Sequence, residues 1–357
     1  MVRLKSIMNT SSLHAQNPLA KRIRLSEFFI EKGIAATSFI SFAFIILIFV
    51  FVFREALPIF STNTRHETYI KETDRQETYG DVPEEKPTET SEDASIESAG
   101  TEENVTVSNL LGTNWIPVST HPKYGLLPLF FGSFKVSLIA VLVAAPIAIL
   151  AALFTASFAP KWAKEILKPS IELLAGFPSV VVGFFALIVL ASWLQELFGF
   201  EYRLNSFVGG IALSLSVIPI IYTIAEDALT SVPKTFSEAS LALGATPWQT
   251  ALFVVLPAAT PGVFAAILLG VGRAFGETMI VLMATGNAAL TSLNPFEPVR
   301  TMPATIGAEM AEVVFGDTHY SVLFFIGALL FIITFALNAF AELYIRKRLM
   351  KRFRGAS

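Results

Sequence analysis

Six apolar runs, each long enough to cross a bilayer, constrain this chain more than any single motif in it. They are Ile34 to Phe53, Phe130 to Phe158, Ile171 to Leu194, Phe207 to Ala225, Pro261 to Thr285 and Val322 to Leu343. A hydrocarbon core of about 30 Å is crossed by about 20 helical residues. Lipid offers no hydrogen-bond partner to exposed backbone, and the runs are too long for barrel strands, so each is expected to be an α-helix. The expected fold class is an all-α membrane protein with six transmembrane helices. Composition agrees: 53% of the residues are hydrophobic and only 15% charged. The first run is too long for a signal-peptide core, and no Ala-x-Ala-like cleavage site follows Phe53, which favours an uncleaved span.

The formal net charge of -3 conceals opposed local charges. Arg22, Arg24 and Lys32 precede the first run, and Lys161, Lys164 and Lys168 fill the second connection. Arg346, Lys347, Arg348, Lys351, Arg352 and Arg354 follow the last run. Six crossings put all three clusters on one side, and basic residues mark the cytoplasmic side, so both termini are expected in the cytoplasm. The chain has no cysteine, which excludes disulfides and thiolate metal sites, and His14, His66, His121 and His319 lie far apart in sequence.

The expected layout is a cytoplasmic segment at 1–33, a first span at 34–53, and an extracytoplasmic loop at 54–129. A core of five spans follows at 130–345, with a cytoplasmic loop at 226–258, and a basic tail at 346–357. Within the first loop, Ser61 to Val107 carries Glu84-Glu85, Glu92-Asp93 and Glu102-Glu103 and almost no large apolar residue. Such a stretch cannot offset its ordering entropy and is expected to be a disordered, solvated tether rather than a docking site. Trp115, Pro117, Pro122, Tyr124 and Pro128 suit an ordered approach along the membrane interface with aromatic anchoring.

Lys168-Pro169-Ser170-Ile171-Glu172 is expected to open the third span, which Gly176, Pro178 and Gly183 then interrupt. Proline removes a donor and clashes with the preceding turn, so this helix should be kinked or broken. Gly176, Pro178 and Ser179 therefore either line a solute path or allow close helix packing; Pro219 in the fourth span carries the same two readings.

The loop between the fourth and fifth spans is the most informative polar segment. Thr235 and Glu238 have capping-box spacing, and Gly244 can end the short helix they begin. Thr246-Pro247-Trp248-Gln249 restarts the helix, with Thr246 as N-cap, Pro247 at the first position and Gln249 as box partner. Two short helices at a turn make a rigid knob that a partner can push. Alone, the same pattern reads more often as a plain connector.

Arg273 lies inside the fifth apolar run, where a charge costs about 2.5 to 3.5 kcal/mol on the lenient insertion scale. Glu277, four residues on, shares its helical face and is close enough to pair. Pairing explains tolerance but not presence, because a hydrophobic pair would be as stable. One reading is a structural clasp; the favoured one is a polar path, where the guanidinium fork meets a tetrahedral oxyanion and the carboxylate balances it when empty.

Glu238-Ala239-Ser240, three residues, Gly244, nine residues, then Val254-Val255-Leu256-Pro257 resembles the EAA loop of ABC-importer permeases, E-A-A-x3-G-x9-I-x-L-P. Ser240 replaces the second Ala, and Val254 the Ile. Leu269-Gly270-Val271-Gly272-Arg273-Ala274-Phe275-Gly276-Glu277-Thr278-Met279 and Glu172 to Val181 resemble the PstC-type permeases of phosphate-specific ABC importers. The likeness runs from about Asn114 to Leu343. The paired PstA type typically continues Ala-Pro-Leu after this core, whereas Met279-Ile280-Val281-Leu282-Met283 and Gly286-Asn287 stand here.

The resemblance implies the type I importer-permease fold and phosphate translocation past Arg273 and Glu277. It implies that Glu238, Ala239, Ser240, Leu243, Gly244 and Ala245 seat on an ATPase. The implied partners are a PstA-type sister permease, a PstB-type ATPase dimer that uses ATP, and a PstS-type extracytoplasmic phosphate-binding protein, with no cofactor on this chain and residence in a bacterial or archaeal plasma membrane. No G-x-x-x-x-G-K-[ST] loop occurs, so the chain is not expected to hydrolyse ATP itself. Permeation of another oxyanion, a self-contained carrier and a membrane phosphate sensor are the competing readings; a carrier commonly shows repeated halves, and no convincing repeat is visible.

Overall fold

The computed structural model describes residues 25–60 and 107–340. Arg22, Arg24, the acidic stretch 61–106 and the basic tail 346–357 lie outside the described residues. The chain divides after Phe51 into two compact units. The first holds most of α1 (Leu25–Ala56), along which apolar side chains such as Phe39 and Leu47 are exposed, as a lipid-bounded helix requires.

The second unit holds a small antiparallel hairpin, β1 (Trp115–Ile116) and β2 (Lys123–Tyr124), in which Trp115 faces Tyr124. Four long elements follow: α2 (Leu127–Ser157), α3 (Lys161–Ala175), α4 (Ser179–Phe198) and α5 (Ser206–Thr230). Then come α6 (Lys234–Ala242), α7 (Pro247–Phe275), α8 (Met279–Ala284), α9 (Met302–Glu309) and α10 (Thr318–Phe340). Among the described residues, six helices are long and apolar enough to cross a membrane, as the apolar runs predict.

The centre of the unit is α2 against α5. Ala140, Ala144, Ala148 and Ala152 recur every four residues on α2, and all are fully buried. Small residues at this spacing let two backbones approach closely, which matters where lipid tails are as apolar as the side chains and association rests on van der Waals contact. From α5 come Val208, Ala212, Val217, Ile221 and Tyr222, also fully buried. The Tyr222 hydroxyl lies 3.0 Å from the Thr155 hydroxyl of α2, so this buried polar tip is satisfied. The helix α7 packs on α5 through Gly270, where an added Cβ would come within 2.7 Å of the Ile221 side chain.

The third span begins later than expected. Residues Ile171 to Ala175 belong to α3, a separate helix with Trp162, Ile166 and Leu173 exposed on one side and Ala163 buried. Pro169 sits inside α3 rather than at its start. The chain breaks at Gly176-Phe177-Pro178, and α4 starts at Ser179. Proline cannot donate a ladder hydrogen bond and drives the residue before it out of helical geometry, so the break falls before the span and not within it. Lys168 ties α3 to the last turns of α5, its Nζ lying 2.9 Å from Glu226 Oε2 and 3.8 Å from Asp227 Oδ1. The hydrogen bond to Glu226 holds the Lys168 ammonium above its ordinary pKa.

The segment between α8 and α9 is stitched over the ends of α2 and α5. Val299 N–H donates to Thr285 O at 3.0 Å, Ser206 N–H to Glu297 O at 3.1 Å, and Met302 N–H to Ser133 Oγ at 2.9 Å. Lys135 of α2 donates to the carbonyls of Ser292 and Asn294. At Gly132 an added Cβ would stand 2.2 Å from the Arg300 carbonyl oxygen, so only glycine admits this backbone. Gly132→Ala is expected to lower the thermal midpoint of the detergent-solubilised protein, at an overpacking cost of about 1–3 kcal/mol. An unshifted midpoint in differential scanning fluorimetry would show that the segment is not anchored there.

Candidate functional site

Two of the sites expected from sequence can be located directly. The first is the polar loop. Its helix α6 has no buried residue: Glu238 and Ala239 are exposed, Ser240 and Ala245 half-buried, and Leu243 is 89% exposed. The helix ends in a full Schellman closure, with Ala245 N–H on Ser240 O at 3.2 Å and Gly244 N–H on Leu241 O at 3.0 Å. Gly244 has φ +88°, the left-handed region that favours glycine, as its place after the helix predicts.

The start of α6 differs from expectation. Pro233 occupies the N-cap position with no side-chain cap, and Thr235 lies inside the helix, so no Thr235–Glu238 box forms. Pro233, with its fixed φ, starts the helix two residues early and leaves Thr235 no free N-terminal donor to cap. The second box is present: Thr246 N–H donates to Gln249 Oε1 at 2.9 Å, Gln249 N–H to Thr246 Oγ1 at 3.4 Å, and Pro247 takes the first turn.

The second site is the ion pair. Helix α7 stops at Phe275, two residues short of Glu277, and a new helix starts only at Met279. The expectation of one span through Thr285 is therefore corrected. Gly276 takes φ −93° and ψ 0°, and Glu277 N–H turns back to Ala274 O at 3.4 Å rather than to Arg273 O. Glycine costs up to about 1 kcal/mol in a helix interior, which makes Gly276 a ready stopping point. Arg273 consequently stands in the last turn of α7, where a cation also favours the helix C-terminus.

The pair itself forms across the break, with Arg273 Nη2 at 3.5 Å from Glu277 Oε2. The two partners differ sharply in surroundings: the Glu277 side chain is 5% exposed, whereas that of Arg273 is 53% exposed. The arrangement is a buried anion steering a cation that keeps most of its guanidinium donors open. Gly176, Pro178 and Ser179 lie at the α3–α4 break; Gly183, further along α4, packs on α8, where an added Cβ would meet Met279 O and Met283 Sδ at 3.0 Å.

Residues 144–350 match the model of the family described as binding-protein-dependent transport system inner membrane component. The chain belongs to this family of ABC-importer permeases. It is 40% identical over 226 residues to the probable ABC transporter permease protein YqgH of Bacillus subtilis, covering 63% of this chain and 73% of that protein. It is 34% identical over 254 residues to the phosphate transport system permease protein PstC of Mesorhizobium japonicum, covering 66% and 77%. Among solved structures, the MetNI methionine ABC transporter in an inward-facing conformation aligns at TM-score 0.47 and 19% identity, covering 62% of this chain and 94% of that one. The permease is a multi-pass inner-membrane subunit, and ATP is hydrolysed by a separate subunit of the importer.

One polar cluster of the permease escaped the sequence reading. Glu309, at the end of α9, accepts from Trp115 Nε1 at 3.1 Å, pairs with Arg300, and lies 2.9 Å from His319 Nε2. Arg300 Nε also donates to Asn287 Oδ1 at 3.0 Å, and Asn287 has φ +49°. Trp115 and Tyr124 therefore pack inside the protein, edge-on to each other and around the His319 ring, rather than anchoring in the membrane interface. Partners separated by up to 194 residues leave no spacing signal; only the unusual density of charge between two spans, at Arg300 and Glu309, hinted at it.

Burial by itself would raise the Glu309 pKa. The hydrogen bonds from His319 and Trp115 and the Arg300 charge outweigh it and hold the carboxyl below the ordinary range. A depressed folded pKa contributes stability above the unfolded value, about 4.3 for Glu, that is lost as pH falls through the folded one. Detergent-solubilised permease is expected to lose thermal stability on acidification below about pH 4.3, and Glu309→Gln, less stable at neutral pH, should show a shallower loss over that window. Parallel acid limbs in the two melting series would contradict the assignment.

Proposed function

We propose that the chain is the PstC-type permease subunit of an ATP-driven phosphate importer, with both termini in the cytoplasm. Relatives named as phosphate transport system permease proteins, at 33% and 34% identity, support the solute class. The observation that carries the mechanism is the half-exposed Arg273 at the end of α7, held by the buried Glu277.

A bare guanidinium on an otherwise apolar helical surface is costly against lipid, so its open side must meet protein or water. A sister permease of PstA type completes a shared passage there, and phosphate oxygens take the open donors in bidentate fashion. When phosphate leaves, Glu277 keeps the cation neutralised. Exposed Glu238, Ala239 and Leu243 on α6, with the Gly244 turn beneath them, seat in a PstB-type ATPase that binds and hydrolyses ATP. A PstS-type binding protein delivers phosphate at the opposite end. Gly176, Pro178 and Ser179 act as the hinge between α3 and α4.

Phosphate uptake by proteoliposomes holding the complete complex tests this reading. Arg273→Gln is expected to abolish uptake while the complex assembles and hydrolyses ATP; undiminished uptake would refute the role. Uptake by wild-type vesicles lacking ATP would instead identify a self-contained carrier. Gly244→Leu forces a branched side chain into the left-handed region, at about 1 kcal/mol or more. It should greatly reduce the ATPase recovered with the permease from a pull-down; full recovery would count against the socket.

A further inference from the structure

Helix α6 has no buried residue to fix it to the span it is meant to move. Two neighbouring hydroxyls supply what burial does not. Ser240, half-buried on the inner side of α6, lies with its Oγ 2.9 Å from Oγ1 of Thr250, which is 4% exposed in the first turns of α7. Thr250 directly precedes the π-helical stretch Ala251–Val255, and helix then continues without a break to Phe275. Over the 23 positions from 250 to 273, at 1.5 Å per residue, this helical rod spans about 35 Å to Arg273, with Pro257 and Pro261 in its course. Single-turn π stretches recur at functional sites in helices, and this one sits where such a rod would be bent.

We propose that Ser240 is a positioning residue: its hydroxyl bond to Thr250 locks α6 to α7 so that a push on α6 is delivered to Arg273. This rests on the reading above that α6 meets the ATPase. It departs from the EAA pattern that the loop resembles, in which Ala stands at this position and has no hydroxyl to donate. Ser240, which the resemblance implies among the residues seated on an ATPase, is thus assigned to the inner side of α6, turned away from the exposed Glu238 and Ala239 that a partner touches.

The chain contains no cysteine. Leu269→Cys, at an exposed position one turn before Arg273, therefore gives a single reporter in the purified complex with cysteine-free sister and ATPase subunits. ATP with vanadate is expected to change the rate of maleimide labelling at position 269. Ser240→Ala and Thr250→Val should each shrink that change about threefold, the scale of one neutral hydrogen bond. The double variant should lose no more than either alone, and Ser240→Thr should keep the response. Phosphate taken up per ATP hydrolysed should fall by the same factor while ATPase recovery holds, a split that damage to the fold would not produce. An unchanged response in Ser240→Ala, additive losses, lost ATPase recovery in Ser240→Ala, or no ATP response in the native-sequence background would each overturn the link. A Ser240-dependent labelling response without any phosphate uptake would uphold the link and overturn the solute assignment.

Discussion

Helices in hydrocarbon gain little from hiding apolar side chains from one another, so what holds this bundle together is close contact between backbones. The alanine stripe Ala140-Ala144-Ala148-Ala152 on α2 supplies it, with α5 lying directly along it and α7 entering at Gly270. A protein interior that tight does not deform smoothly; its elements shift as bodies. Close packing at Gly270 against Ile221 and Val217 of α5 holds the α7 rod to this seam.

At one end the chain leaves the rod through the Gly276 turn, which separates Arg273 from Glu277 by a break in the helix and gives them opposite surroundings. Had the helix continued, both charges would lie on one face with similar exposure, and the pair would be closer to a mutual clasp. The break buries the carboxylate and leaves the guanidinium open. At the other end the Schellman turn at Gly244 and the Thr246 capping box fix the angle between α6 and α7. The exposed Glu238, Ala239 and Leu243 and the open Arg273 are thereby placed on one continuous length of covalent structure.

The cluster around Glu309 performs a different task. It ties the hairpin, the segment after α8, α9 and the start of α10 into one body, using the buried side chains of residues that are far apart in sequence. Charges taken from water need several partners at once, and Glu309 has three in Trp115, Arg300 and His319. The left-handed Asn287, beside Gly286 at φ +78°, is the backbone conformation that this closure demands. The body made this way caps the end of α2 through Ser133 and Gly132.

Local rules made much of this legible. Six long apolar runs had to be helices because lipid leaves backbone groups no alternative, and Gly244 and the Thr246–Gln249 box follow from donors that every helix end must satisfy. The Arg273–Glu277 pairing followed from a spacing of four. That the fifth helix stops at Gly276 did not follow, because the hydrophobic signal is the same on both sides of it; contacts of α8 with α4 and α5 decide there. Thr235 was misassigned because Pro233 starts the helix first. Order along the chain thus determined which segments cross the membrane and which turns join them, since those depend on neighbours within a few residues. Only the tertiary structure decided which charge is buried, which is open, and that Trp115, Arg300 and His319 converge on Glu309, because burial is set by residues that meet across the fold.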